Sequence, residues 1–209
     1  MTLTRIIIAL AALMLVNIAS AQTLTTLFNS GVDNSNAVLA AGAADGHFLN
    51  GAAMTFTYVN GAYASNATSA WDANDASGGS GSYTVSYRQT FTVLTNTKLS
   101  SINIAGQYAV DNSLNDILIN GHSTSITLAG SASTNYSTFH LFTLPTSFYL
   151  IGTNTIDWSW TNTGGPGAIN VFYTSKSYAL VPEMGGIVPV IGSSIIGCAL
   201  WFRKCRHSK

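Results

Sequence analysis

SYTVSYRQTFTVL, residues 82–94, decides the fold. Tyr83, Val85 and Tyr87 fall at every second position, with Thr84, Ser86 and Arg88 between them, and a helix would scatter both sets around its circumference. A strand puts them on two faces, one for a core and one for water. In SSINIAGQYAV, residues 100–110, Ile102, Ile104, Tyr108 and Val110 keep the same phase. Further strands are predicted over residues 24–28, 54–59, 117–120, 125–128, 138–144, 155–161 and 168–173. Turn signals stand between them at Asn60-Gly61, SGGSG (77–81), Asn120-Gly121, Gly152-Thr153-Asn154 and GGPG (164–167). Many short strands and no amphipathic helix predict an all-β fold, a β-sandwich. There is no internal repeat, and the Gly/Ser stretch near residue 79 reads as a loop within one domain because strand patterns resume on both sides of it.

Outside this region the two ends read differently. MTLTRIIIALAALMLVNIASAQ has one cation at Arg5, an apolar run over 6–18 and the small residues Ala19-Ser20-Ala21, the three-part pattern of a secretory signal peptide over residues 1–21, cut before Gln22. At the other end, residues 185–202 carry no charge and would reach about 27 Å as a helix, close to the hydrocarbon thickness of a bilayer. Arg203, Lys204, Arg206 and Lys209 follow, and such a cluster stays on the cytoplasmic side, so what precedes the span is expected outside. Residues 22–181 are then one exported domain, and 182–209 a tail with a transmembrane helix over 185–202.

The exported region holds Arg88, Lys98 and Lys176 against seven aspartates, a net charge of −4. Nucleic-acid binding, which needs a basic surface, is not expected. Both cysteines, Cys198 and Cys205, lie in the tail, so the domain has no disulfide and no cysteine metal site. Cys205 reads as an incidental cysteine or, beside the membrane, as a lipidation site.

Little in the domain is arranged for catalysis. His47, His122 and His140 are isolated, no HExxH or G-x-S-x-G occurs, and no Glu precedes Glu183, so a non-catalytic protein is expected. Asp45 and His47 are the nearest to a reactive pair and read first as a structural hydrogen bond between loops. Asp111, Asn112, Asn115 and Asp116 put four oxygen-bearing side chains within six residues. Two readings stay open for them: a structural calcium site, or a solvated turn with Asx hydrogen bonds. No other cofactor is expected. Trp158 and Trp160, two apart on a predicted strand, share a face and read as core. Trp71, with Asp72, Asn74 and Asp75 beside the Gly/Ser loop, is the candidate ligand contact; burial over the end of the sandwich is the other reading.

Two resemblances add to this. Pro182-Glu183, the span 185–202 and the cluster Arg203, Lys204 and Arg206 resemble the PEP-CTERM sorting signal of Gram-negative bacteria, read by the intramembrane processing enzyme exosortase; Met184 stands where the commonest form has a second proline. The resemblance implies export machinery and an exosortase-like enzyme as partners, a membrane contact through 185–202 that is at least transient, and a destination at the cell surface or in the extracellular matrix. LFNSGVDN (27–34), AADGHF (43–48), AW (70–71), YRQTF (87–91), IAGQYAVDN (104–112), DILING (116–121) and GTNTIDWSWTNTGGPG (152–167) together resemble the jelly-roll of galactose-binding-like domains. That family includes accessory and binding modules, some with a structural calcium. The expectation is a non-catalytic, surface-sorted β-sandwich of the cell surface or extracellular polysaccharide matrix that binds glycan. The alternatives are a structural matrix or adhesion protein without a small ligand, and a secreted carbohydrate-active enzyme.

Overall fold

The alternation of residues 82–94 becomes β5 (Ser82–Val93), whose Val85, Tyr87, Phe91 and Val93 are buried while Thr84 and Arg88 face water. The computed structural model describes residues 21–33, 37–40, 43, 48–49, 56–74, 78 and 81–181. The remaining strands are β1 (Ala21–Thr23), β2 (Phe48–Leu49), β3 (Phe56–Tyr58), β4 (Trp71–Ala73), β6 (Asn103–Val110), β7 (Ser113–Ile119), β8 (His122–Ser123), β9 (His140–Thr143), β10 (Gly152–Thr163) and β11 (Ala168–Ala179), with one helical turn, α1 (Thr134–Ser137). They form two antiparallel sheets. The larger runs β3-β4-β11-β6-β9, with β1 also on β11; the other runs β2-β5-β10-β7-β8. From β5 onward the chain changes sheet at every connection except the β7–β8 hairpin, so each sheet is assembled from segments far apart in sequence.

Inward residues of both sheets meet in one core, including Tyr87, Phe91, Ile104, Tyr108, Ile117, Ile156, Trp158, Trp160 and Val171. The predicted phase of residues 102–110 and the core placement of both tryptophans agree with this. Gln89 is one of the polar side chains buried with them. Gln89 faces inward from β5 at 1% exposure; its amide donates to the Phe28 carbonyl at 2.7 Å and to the Tyr87 hydroxyl at 3.2 Å. Its carbonyl accepts from the Trp158 indole N–H at 3.2 Å and from the Tyr173 hydroxyl. A buried amide satisfied on both its ends ties strands of both sheets to the N-terminal segment.

A second amide pair fixes one end of the sandwich. Asn120 and Gly121 take left-handed φ values of 51° and 81° at the β7–β8 turn, as an Asn-Gly hairpin requires. Asn120 Nδ2 donates to Asn154 Oδ1 at 2.8 Å, and the fully buried Asn154 also bonds both the amide and the carbonyl of Leu150 at 2.8 Å. The turns of DILING and GTNTIDW therefore touch.

Some expected elements differ. Residues 24–28 are not a strand: Leu24 and Leu27 are buried where the chain turns, and the segment follows β11 mostly through side chains. Val171 N–H donates to Ser30 Oγ at 2.8 Å, Tyr173 N–H to Asn29 Oδ1 at 2.9 Å, and Lys176 Nζ to the Leu27 carbonyl at 2.6 Å. Residues 125–128 contribute only the bridge of Leu128 to Leu114. Arg88 closes on Asp157 across β5 and β10 with a two-point ion pair, Nε–Oδ1 at 2.5 Å and Nη2–Oδ2 at 2.7 Å. Among the described residues no helix is long and apolar enough to cross a membrane. The expected signal peptide up to residue 20, the span 185–202, and Pro182, Glu183, Arg203, Lys204 and Arg206 lie outside the described residues.

Two substitutions test the packing. Gln89→Leu strands the Trp158 N–H and two tyrosine hydroxyls in the core, and should cost about 2–4 kcal/mol in urea unfolding. A Cβ at Gly106 would stand 2.1 Å from the Phe172 carbonyl oxygen on β11, so Gly106→Ala should cost about 1–3 kcal/mol. A neutral result for either would mean that β5 or β6 is not in this register.

Candidate functional site

Strand alternation separates the residues grouped by the sequence. Trp71 and Asp72 are neighbours on β4, so they project to opposite faces of the sheet. Trp71 pairs with Tyr58 on the outer face and is 5% exposed. Its indole N–H donates to the Ala64 carbonyl at 2.7 Å, and Tyr63 lies 4.4 Å from it, ring to ring. Trp71, the candidate ligand contact, is thus buried on this face beside Tyr63. Asp72 pairs with Ile169 and turns to the inner side, where it accepts from the Gly31 amide at 3.1 Å. Asn74, half-buried, accepts from the Tyr83 hydroxyl at 3.4 Å. Asp75, Asp45 and His47 lie outside the described residues.

The four oxygen-bearing residues after β6 are also drawn apart. Asp111 is buried, with Oδ2 accepting from the Tyr63 hydroxyl at 2.5 Å and Oδ1 from Asn112 Nδ2 at 2.5 Å. Asn112 Oδ1 accepts from the Thr163 amide and hydroxyl at 2.7 and 2.9 Å. Asn115, exposed at a register shift between β7 and β10, exchanges hydrogen bonds with the Thr161 hydroxyl, and Asp116 Oδ1 accepts from the Ile117 amide at 2.8 Å. Asp111 and Asn112 bond each other, whereas Asn115 and Asp116 serve separate partners, and all four take part in Asx hydrogen bonds. Among the described residues no three of His, Cys, Asp and Glu gather closely enough to hold a metal ion.

What the sequence did not single out is the outer face of the six-stranded sheet. At one end of it Tyr63 and Tyr136, 5.2 Å apart, lie over Trp71, Ala73, Ala109 and Ala168 as a second apolar cluster. Tyr63 comes from the connection between β3 and β4, and Tyr136 from α1. Further along, Phe172, Gln107 and Leu141 stand side by side across β11, β6 and β9. Phe172 and Gln107 are half-buried, Leu141 is 78% exposed, and Phe139 meets Phe172 edge to face at 5.1 Å. Thr143, Thr174 and Asn103 continue this region as exposed hydroxyl and amide groups. An aromatic and an aliphatic side chain on either side of an amide, beside such groups, can contact the C–H faces and hydroxyls of a sugar chain. The signal was Tyr136, just before the predicted strand 138–144, and Phe139 within it; Phe142 of the same strand faces the core.

Tyr63 and Asp111 carry the clearest electrostatic signature. Burial, then the hydrogen bond to Asp111, pushes the Tyr63 phenol far above its ordinary value. Burial also raises the Asp111 carboxyl, and the hydrogen bond from Tyr63 offsets part of that. A carboxyl raised on folding gives stability that is full below its unfolded pKa and lost as pH rises through the folded value. Tyr63→Phe removes the donor that favours the ionised form and lifts the folded pKa further. The variant should lose about 1–3 kcal/mol near pH 7 and clearly less near pH 3, measured by urea unfolding. Equal losses at both pH values would assign Tyr63 a packing role alone.

No family model and no curated protein matches the chain. Among solved structures, that of a Paenibacillus sp. cycloisomaltooligosaccharide glucanotransferase complexed with cycloisomaltoheptaose is similar over 79% of this chain, at 13% identity and a TM-score of 0.28. The match covers 18% of that protein's chain.

Proposed function

We propose that the chain is a non-catalytic, exported and surface-sorted protein of the cell surface or extracellular polysaccharide matrix, and that the outer face of its six-stranded sheet binds glycan. The observation that carries the reading is the row Phe172–Gln107–Leu141, in which the half-buried Phe172 and the exposed Leu141 flank an amide, with further hydroxyl and amide groups beside them. The fold within this reading is a jelly-roll of the galactose-binding-like kind. Its supports are the chain's repeated change of sheet and the contact between the Asn120 and Asn154 turns. Residues 182–209 act as the sorting signal: the span halts export, an exosortase-like enzyme acts at Pro182-Glu183, and the domain stays outside.

Polysaccharide affinity electrophoresis tests the face. Leu141→Asp and Phe172→Ser together should weaken retention by about tenfold, the loss of one stacking contact of about 1.4 kcal/mol, with unfolding followed in parallel. Unchanged retention would remove this face from the site, and a protein retained by no matrix polysaccharide would leave the structural or adhesive reading. Sorting is tested separately by mass spectrometry of the mature chain. A C-terminus near Pro182-Glu183 is expected, and peptides spanning residues 185–202 in the mature pool would contradict processing.

A further inference from the structure

On the outer side of the six-stranded sheet the row Phe172–Gln107–Leu141 is followed by two more. Ser175, Ala105 and Thr143 stand side by side across β11, β6 and β9, and beyond them Ser177 pairs with Asn103. Alternate residues of a strand lie about 6–7 Å apart on one face, so the three rows extend over about 13 Å in the strand direction. Ala105 has the smallest side chain among them and lies between two hydroxyls, and the Ser175 hydroxyl accepts from Asn103 Nδ2 at 3.0 Å. The register shift between Tyr173 and Ser175 leaves Thr174 exposed beside them, its hydroxyl donating to the Ala105 carbonyl at 3.4 Å.

No residue in these rows carries a charge. The cations between residues 22 and 181 are few enough to locate one by one: Arg88, Lys98 and Lys176. Arg88 belongs to the other sheet, where Asp157 holds its guanidinium at two points. Lys98 lies in the connection from β5 to β6. Lys176 pairs with Ile104, a core residue, so its side chain leaves β11 on the side away from the rows, and its ammonium donates to the Leu27 carbonyl at 2.6 Å. His140 alternates with the core residue Phe142 and packs against Tyr108 of the core, ring centres 5.7 Å apart.

A carboxylated or sulfated sugar brought against these rows gives up water around its charge and finds no cation in exchange, on a domain whose seven aspartates outnumber its three cations. An amino sugar finds no carboxylate there. A neutral sugar has no ionic hydration to lose. Its hydroxyls exchange hydrogen bonds with the Gln107 and Asn103 amides and with the Ser and Thr hydroxyls, groups that both donate and accept, while Phe172 and Leu141 cover C–H surface.

We propose that the outer face of the six-stranded sheet selects uncharged polysaccharide, a chain of neutral hexoses, and rejects polymers that carry uronate, sulfate or amino groups. This rests on the reading of that face as a glycan site and adds the class of glycan it takes.

Affinity chromatography of the full chain tests it, with immobilised dextran, galactomannan and β-1,3-glucan as neutral polymers, alginate and dextran sulfate as anionic ones, and chitosan as a cationic one. Runs at about 20 and about 500 mM NaCl differ several-fold in screening length. The comparison is a chain with Leu141→Ser and Phe172→Ser, which change the face without adding charge, with unfolding followed in parallel. At least one neutral polymer should retain the chain equally at both salt concentrations and about tenfold less in the double variant, with no charged polymer showing retention that depends on these two residues. Retention by a charged polymer that weakens with salt and is lost in the double variant would overturn the neutral-glycan proposal and leave the glycan reading standing. Retention by no polymer, or retention indifferent to the double variant throughout, would remove the glycan reading of this face and the proposal with it.

Discussion

The amide of Gln89 is the constraint on which the rest of this structure depends. It is a buried polar group packed among large apolar side chains, and it is tolerable only if every donor and acceptor it carries is answered. The answers come from the Phe28 carbonyl, the Tyr87 and Tyr173 hydroxyls and the Trp158 indole. Apolar packing alone would accept several sliding arrangements of two β-sheets. A network that closes only when β5, β10, β11 and the N-terminal segment stand in one register selects among them, and it does so in a domain without a cysteine.

How much of this could be read from the chain depends on how far each interaction reaches. The faces of β5 and β6 were legible because a period of two repeats over enough residues to exclude a helix. Gln89 occupies an inward position in that pattern, but its partners lie up to 84 residues away and no local signal names them. Residues 24–28 were read as a strand because Leu24 and Leu27 suggest one, whereas just after them the Asn29 and Ser30 side chains take the place of backbone partners along β11. Trp71 was placed in a loop because a strand of three residues is too short to show alternation. Asp111 and Asp116 were grouped by nearness in sequence, and the intervening turn and register shift gave them different partners. Tyr63, a lone aromatic among small residues, had no pattern to announce it.

The two faces of the larger sheet divide the work of a protein with few charges. The inner face supplies the core with Ile104, Tyr108, Ile169 and Val171, and the outer face is capped at one end by Tyr63 and Tyr136 while the row at Phe172 stays open. A face wholly covered would be a second core, and a face wholly bare would invite aggregation. Partial cover by the connection between β3 and β4 and a single helical turn leaves a strip bounded by polar groups.

The scarcity of basic residues has a consequence for survival among proteases. Proteases that cut after lysine or arginine find three sites between residues 22 and 181. Arg88 sits inside β5 with its guanidinium clamped to Asp157, and Lys176 sits inside β11 with its ammonium donated to the Leu27 carbonyl. A protease must draw its substrate into an extended, unpaired conformation, which at these two positions means breaking a sheet. Lys98 is exposed, yet the backbone on its C-terminal side enters a tight turn, with the Ser101 amide returning to the Lys98 carbonyl at 2.8 Å. Digestion by such enzymes is thereby coupled to unfolding, and the folded domain can persist among them without a single crosslink.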